Sequence, residues 1–161
     1  MKNVPVLTII QNGFIAAIYV VLTLTLSPIA FEMIQFRLSE LILLIVFYRK
    51  DWSVGLMVGT FIANYLGPFG LSDAMVGTMA TGLSLLAMTT THRLWLASLY
   101  PTVINGLLIG LLLSLVNETP FWINVSWVAL GQFVVLTMIG LPLMNLLLRH
   151  PYFKKWLEST E

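Results

Sequence analysis

Three long, charge-free and mainly apolar runs, residues 6–26, 94–116 and 126–148, decide most of what this chain can fold into. At about 1.5 Å of rise per residue, each makes a helix able to cross a hydrocarbon core of about 30 Å. Backbone groups find no water there, so each span must close its hydrogen bonds internally. Three further apolar segments, residues 39–48, 52–66 and 74–90, are shorter. They cross only with help from flanking residues, a thin spot in the bilayer or burial in protein. The expected fold class is all-α, an integral membrane bundle of six transmembrane helices. Composition agrees: 58% of residues are hydrophobic and 9% charged, against about 25% charged in soluble domains.

The connections are short and no internal repeat is visible, so residues 1–161 read as a single transmembrane domain. Lys2 followed by an apolar run resembles a secretory signal. The run is too long for an h-region and no A-x-A-like site closes it, so it is read as a retained first span.

Loop charges set the orientation. With six crossings and both termini cytoplasmic, Lys2, Arg49, Lys50, Arg93, Arg149, Lys154 and Lys155 fall inside, and only Arg37 falls outside. Seven of eight basic residues on one side is a positive-inside pattern. Trp52, Trp95, Tyr152 and Trp156 mark the inner interface, and Trp122 and Trp127 the outer. The expected location is the bacterial plasma membrane, crossed many times.

The polar residues gather toward the outer side. QFRLSEL, residues 35–41, places Gln35, Arg37, Ser39 and Glu40 at the mouth of the second segment. Asn64 ends the third, GPFGLSD follows at 67–73, and Asn105 lies just past Pro101 in the fifth. Gln132 lies in the sixth, with Asn117, Glu118, Asn124, Trp122 and Trp127 near its entry. Embedded polar groups face a bundle interior or a cavity, because lipid does not solvate them. Amides offer donors and acceptors to a heterocycle edge, Arg and Glu offer charge-assisted bonds, and aromatic rings offer stacking faces. The candidate ligand contacts are Gln35, Arg37, Glu40, Asn64, Asn105, Gln132, Trp122 and Trp127.

Plainer roles exist for each. Arg37 and Glu40 are three apart and form a helix-entry ion pair in the simplest reading, with Ser39 as cap. Asp73 reads as an N-cap, and Asn64 and Asn105 as interhelical glue. Glu118 reads as a solvated charge, His92 and His150 as interfacial residues, and Asn145 as structural. Small residues repeat every fourth position at Gly13/Ala17, Gly55/Gly59/Ala63 and Gly106/Gly110. These stripes either pack the bundle or dock another membrane protein, and Gly13, Ala16 and Ala17 are the docking candidates.

Several chemistries lack their residues. There is no cysteine, no G-x-x-x-x-G-K-[ST], no H-E-x-x-H and no G-x-S-x-G. No acid–base pair faces the polar mouth. The chain reads as a binder of a small polar molecule, not an enzyme, and without an energy source of its own. A stand-alone facilitator or secondary transporter is the alternative.

IQFRLSELILLIVFY followed by GLMVGTFIANYLGPFGLSDAMVGTMATGLSLLA resembles the QueT family. Pro101, Asn105, Gly106 and the GLPL at 140–143 extend the resemblance over nearly the whole chain. The family comprises substrate-capture subunits (S components) of energy-coupling factor transporters, ABC-type importers of vitamins and similar heterocycles. The resemblance implies capture of a queuosine precursor, a 7-deazaguanine-type base, at the outer face. The implied partners are a transmembrane coupling protein and a pair of cytosolic ATPases, which hydrolyse the ATP. This chain itself would carry no cofactor. Gly13, Ala16 and Ala17 match the positions that contact the coupling protein in the family. Gln132 stands where the family pattern has Glu, and Leu41 where it has Ala, so Gln132 supplies no charge to a cationic ligand.

Overall fold

Each apolar run folds as a helix, and short turns reverse the chain between them. The computed structural model describes residues 6–32 and 34–158. Lys2, counted above among the inner charges, lies outside them. α1 spans Val6–Thr25, and a single turn, α2 (Ser27–Ala30), follows. A 3-10 turn at Leu38–Glu40 leads into α3 (Leu41–Tyr48), and a second at Lys50–Trp52 leads into α4 (Ser53–Tyr65). α5 is Gly70–Met88 and α6 is Leu94–Asn117. The last long rod is α7 (Phe121–Gln132), a π-helix (Phe133–Gly140) and α8 (Leu141–Leu148) in sequence. α9 (Pro151–Glu158) closes the described chain.

Four of these helical stretches are long and apolar enough to cross a membrane: Val6–Thr25, Gly70–Met88, Leu94–Asn117 and Phe121–Leu148. The protein is a multi-pass membrane protein. α3 and α4 are shorter and run between the long helices. Ile42, Leu43, Leu44 and Val46 of α3 are all buried, as expected of a helix apolar on every side. The fourth and sixth predicted segments begin too late. α5 starts four residues earlier, at Gly70, and α7 five residues earlier, at Phe121. Gly70 has φ +57°, a conformation that favours glycine and turns the chain directly into α5. Pro120, just before α7, suits a helix start.

Lipid is as apolar as leucine, so close backbone packing must hold such helices together. A Cβ built on Gly59 would lie 3.0 Å from the Ala16 Cα, and one on Gly55 would collide with the Asn12 backbone. One on Gly110 would lie 2.8 Å from Val125. These stripes therefore seat α4 on α1 and α6 on α7. The helix-one stripe divides. Ala16 is buried against Gly59, whereas Gly13 and Ala17 face outward and a Cβ on Gly13 would meet nothing within 4 Å.

The basic end of the bundle is latched. The Arg49 side chain is buried there, donating to both Asp51 carboxylate oxygens at 3.0 and 2.9 Å and to Gln11 Oε1 at 3.1 Å. Its guanidinium lies 4.7 Å from the Trp52 ring centroid and 5.5 Å from that of Trp156. Trp156 belongs to α9, an amphipathic helix that periodicity in the apolar runs did not foretell. The bonds from Arg49 hold the Asp51 carboxyl below its ordinary value.

Candidate ligand-binding site

The end of the bundle opposite the basic residues holds a buried polar cluster. Gln35, Arg37, Ser39, Glu40, Asn64, Asp73, Asn105 and Gln132 are each nearly or wholly removed from the surface. Such burial of polar atoms costs free energy unless each finds a partner.

Arg37 ties three elements together. It donates from Nε to the Ala30 carbonyl at 3.2 Å, from one terminal nitrogen to Asn64 Oδ1 at 2.8 Å, and from the other to Asp73 Oδ2 at 3.3 Å. Its guanidinium also lies 4.9 Å from the centroid of Phe31. Asn64 completes the link by donating to the Asp73 carbonyl at 3.2 Å. Two plain readings from sequence are corrected here. Arg37 pairs with Asp73 and not with Glu40: Arg37 has extended backbone and stands outside the helix, with a single 3-10 turn between it and α3. Asp73 does not cap α5, because the helix starts at Gly70 and places it inside the first turn. Ser39 caps nothing either; it shares a 2.6 Å hydrogen bond with Thr23.

Glu40 is held from α1. The Tyr19 hydroxyl donates to Glu40 Oε1 at 2.6 Å, with both residues buried. Sequence reasoning missed Tyr19 and Thr23. Their signal was present: two polar-tipped side chains four apart, which share one helix face, on the opposite side from Gly13 and Ala17.

Six buried side-chain atoms in the described residues have no hydrogen-bond partner: Gln35 Nε2, Glu40 Oε2, Asp73 Oδ1, Thr78 Oγ1, Asn105 Oδ1 and Gln132 Oε1. Four of them belong to residues picked from sequence as ligand contacts. A Cβ on Gly131 would lie 2.7 Å from the Gln35 carbonyl oxygen, so only glycine lets this backbone pass beside Gln132. Gly106 packs on Ala129, which sets Asn105 within about one helical turn of the level of Gln132. The π-helix begins at the residue after Gln132. Its widened turns precede Pro142, which lacks the N–H that Met138 would otherwise bond.

The structure separates the two asparagines. Asn64 is bonded at both its oxygen and its nitrogen and links α4, α5 and Arg37. Asn105 keeps its side-chain oxygen unpartnered. The tryptophans stand apart from the cluster. Trp122 is 70% exposed and Trp127 37% exposed, and the ring partner of Trp122 is Phe121, at 4.8 Å. Among the described residues no group of three or more His, Cys, Asp or Glu is placed to hold a metal ion.

Residues 9–149 match the family described as QueT transporter. The chain belongs to the QueT family. The queuosine precursor transporter QueT of Lactococcus lactis subsp. cremoris (strain MG1363) is 32% identical to it over 161 residues, which cover 90% of this chain and 94% of the relative. No solved structure matches the chain. QueT is a family of transporters and not of enzymes, and the matched region contains every residue of the buried cluster.

Proposed function

We propose that this protein is the substrate-binding S component of an energy-coupling factor importer and captures a queuosine precursor, a 7-deazaguanine-type base. The observation that carries the reading is the set of unpartnered buried atoms at one end of an apolar bundle. Glu40 Oε2, Asn105 Oδ1 and Gln132 Oε1 are acceptors, and Gln35 Nε2 is a donor. A deazaguanine base carries several N–H donors and a carbonyl acceptor, the complement of that set. Membership of the QueT family and the name of its Lactococcus relative support the same substrate class.

In this reading all six apolar segments cross the membrane and the basic end faces the cytoplasm, which follows the positive-inside pattern. The ligand site then faces outward. Arg37 and Asn64 hold its frame, while Gln35, Glu40, Asn105 and Gln132 meet the base. Trp122 and Trp127 serve as interfacial anchors and not as stacking walls. The outward face of α1 around Gly13 and Ala17 receives the coupling protein, and Ala16 supports it from within. Two cytosolic ATPases supply the energy.

A stand-alone facilitator needs a polar route to the basic end, and several hydroxyls below the cluster are bonded inside the bundle. The Ser84, Ser98 and Thr102 hydroxyls donate to carbonyls of their own helices, at 2.8, 2.8 and 3.2 Å. Ser98 also shares a 3.0 Å hydrogen bond with the Thr137 hydroxyl.

The test is calorimetric titration of the purified, folded and ligand-free chain with 7-deazaguanine bases, queuine and guanine. One-to-one binding of a deazaguanine is expected. Failure of every deazaguanine to bind overturns the substrate assignment. Uptake by vesicles containing this chain alone would overturn the S-component assignment.

A further inference from the structure

The Glu40 carboxylate is buried with no cation bonded to it. Its Oε1 accepts from Tyr19 and its Oε2 has no partner. Arg37, three residues away, is committed to Asp73, Asn64 and the Ala30 carbonyl. Neither the Arg37–Asp73 nor the Arg49–Asp51 ion pair includes Glu40. A buried carboxylate normally has a positive partner, because uncompensated charge is costly in a low-dielectric interior.

Its orientation is built, not accidental. Tyr19 lies on the α1 face that packs against Gly59, where a built Cβ would come 3.0 Å from the Tyr19 Cβ. The hydroxyl therefore reaches Glu40 from a fixed backbone. One turn along α1, Thr23 bonds Ser39, the residue before Glu40. Two ties from one helix fix both the carboxylate and its backbone, and leave one oxygen to a ligand.

We propose that Glu40, oriented by Tyr19, selects a ligand carrying a protonated amine, so that the counter-ion lacking in the protein comes with the substrate. This rests on the function proposed above and adds a charge requirement to it. Glu40 is the ligand-contacting residue and Tyr19 a positioning residue. The acidic group thus enters from the start of the second segment and not from the sixth, where this chain has Gln132.

The experiment compares two probes with the same ring, 7-deazaguanine and 7-aminomethyl-7-deazaguanine, by calorimetry at neutral pH. The full chain in detergent is used as wild type, Glu40→Gln and Tyr19→Phe. Wild type is expected to bind the amine at least about tenfold more tightly, the scale of one charge-assisted bond. Glu40→Gln is expected to erase the preference, weakening binding of the amine far more than of the neutral ring. Tyr19→Phe is expected to reduce the preference, with a larger loss for the amine than for the neutral ring, whereas a purely structural role for Tyr19 would weaken both probes equally. Equal affinity of wild type for both probes overturns this inference alone, whether or not the variants fold. Failure of wild type to bind either probe overturns the function proposed above and this inference with it.

Discussion

Asn64 of α4 and Asn105 of α6 are both buried, yet only Asn64 has both ends of its amide bonded. That difference separates residues that hold the site from residues that wait for something to bind. Asn64→Ala is expected to destabilise the protein by about 1–3 kcal/mol, since it strands part of the Arg37 network. Asn105→Leu is expected to leave thermal stability unchanged or raise it while abolishing ligand binding. Melting curves in detergent beside calorimetry check both, and a stability loss in Asn105→Leu comparable to that of Asn64→Ala would contradict the assignment.

Arg37→Ala is expected to cost about 3–5 kcal/mol, because it leaves Asp73 buried without its cation. The double variant Arg37→Ala/Asp73→Ala should recover part of that loss. A thermodynamic cycle over the four proteins measures the coupling, and independent, additive effects would count against the pair.

Gly131→Ala places a methyl against the Gln35 backbone, which has no flexible end to yield. About 1–3 kcal/mol of destabilisation is expected, together with weaker ligand binding as Gln35 is displaced. Unchanged affinity would remove Gln35 from the site.

The two sides of α1 should respond oppositely. Gly13→Leu and Ala17→Leu enter open space and are expected to preserve folding and ligand binding, while blocking uptake by the assembled transporter. Ala16→Leu meets Gly59 and should destabilise the chain itself. Normal uptake by Gly13→Leu and Ala17→Leu would move the docking face elsewhere.

At the basic end, Asp51 has its carboxyl lowered by Arg49, so its contribution to stability is present above the unfolded value of about 3.9 and is lost as pH falls through the lower, folded value. Asp51→Asn should therefore lower the melting temperature at pH 7, by the equivalent of roughly 1 kcal/mol or less. The gap to wild type should close below about pH 4.

The helices were legible in the sequence because lipid tolerates so few arrangements: each of the six apolar runs folds as helix, with starts displaced by four and five residues where Gly70 and Pro120 set the turn. The buried cluster was legible for a related reason, since amides and charges inside hydrocarbon advertise themselves. Pairing was not. Sequence spacing offered Glu40 to Arg37, and the fold chose Asp73, 36 residues away, because Arg37 stands before the 3-10 turn and shares no helix face with Glu40. Tyr19 stayed hidden because a phenol at the end of an apolar ring looks like packing until its partner is seen. α9 was missed because it is short and half polar, and only its contacts with Arg49 and Trp52 reveal its place.

The Arg37–Asp73 pair has one more consequence. Its charges sum to zero inside the protein, so it imposes little electrostatic resistance if this end of the bundle changes depth in the bilayer. Glu40 has no such internal balance. An ammonium group docked on its free oxygen supplies that balance to the ionised carboxylate and brings Arg37, Asp73, Glu40 and the ligand together to zero net charge. On the proposed function and its charge requirement, the occupied subunit is the form that changes depth in hydrocarbon at lower cost than the empty one.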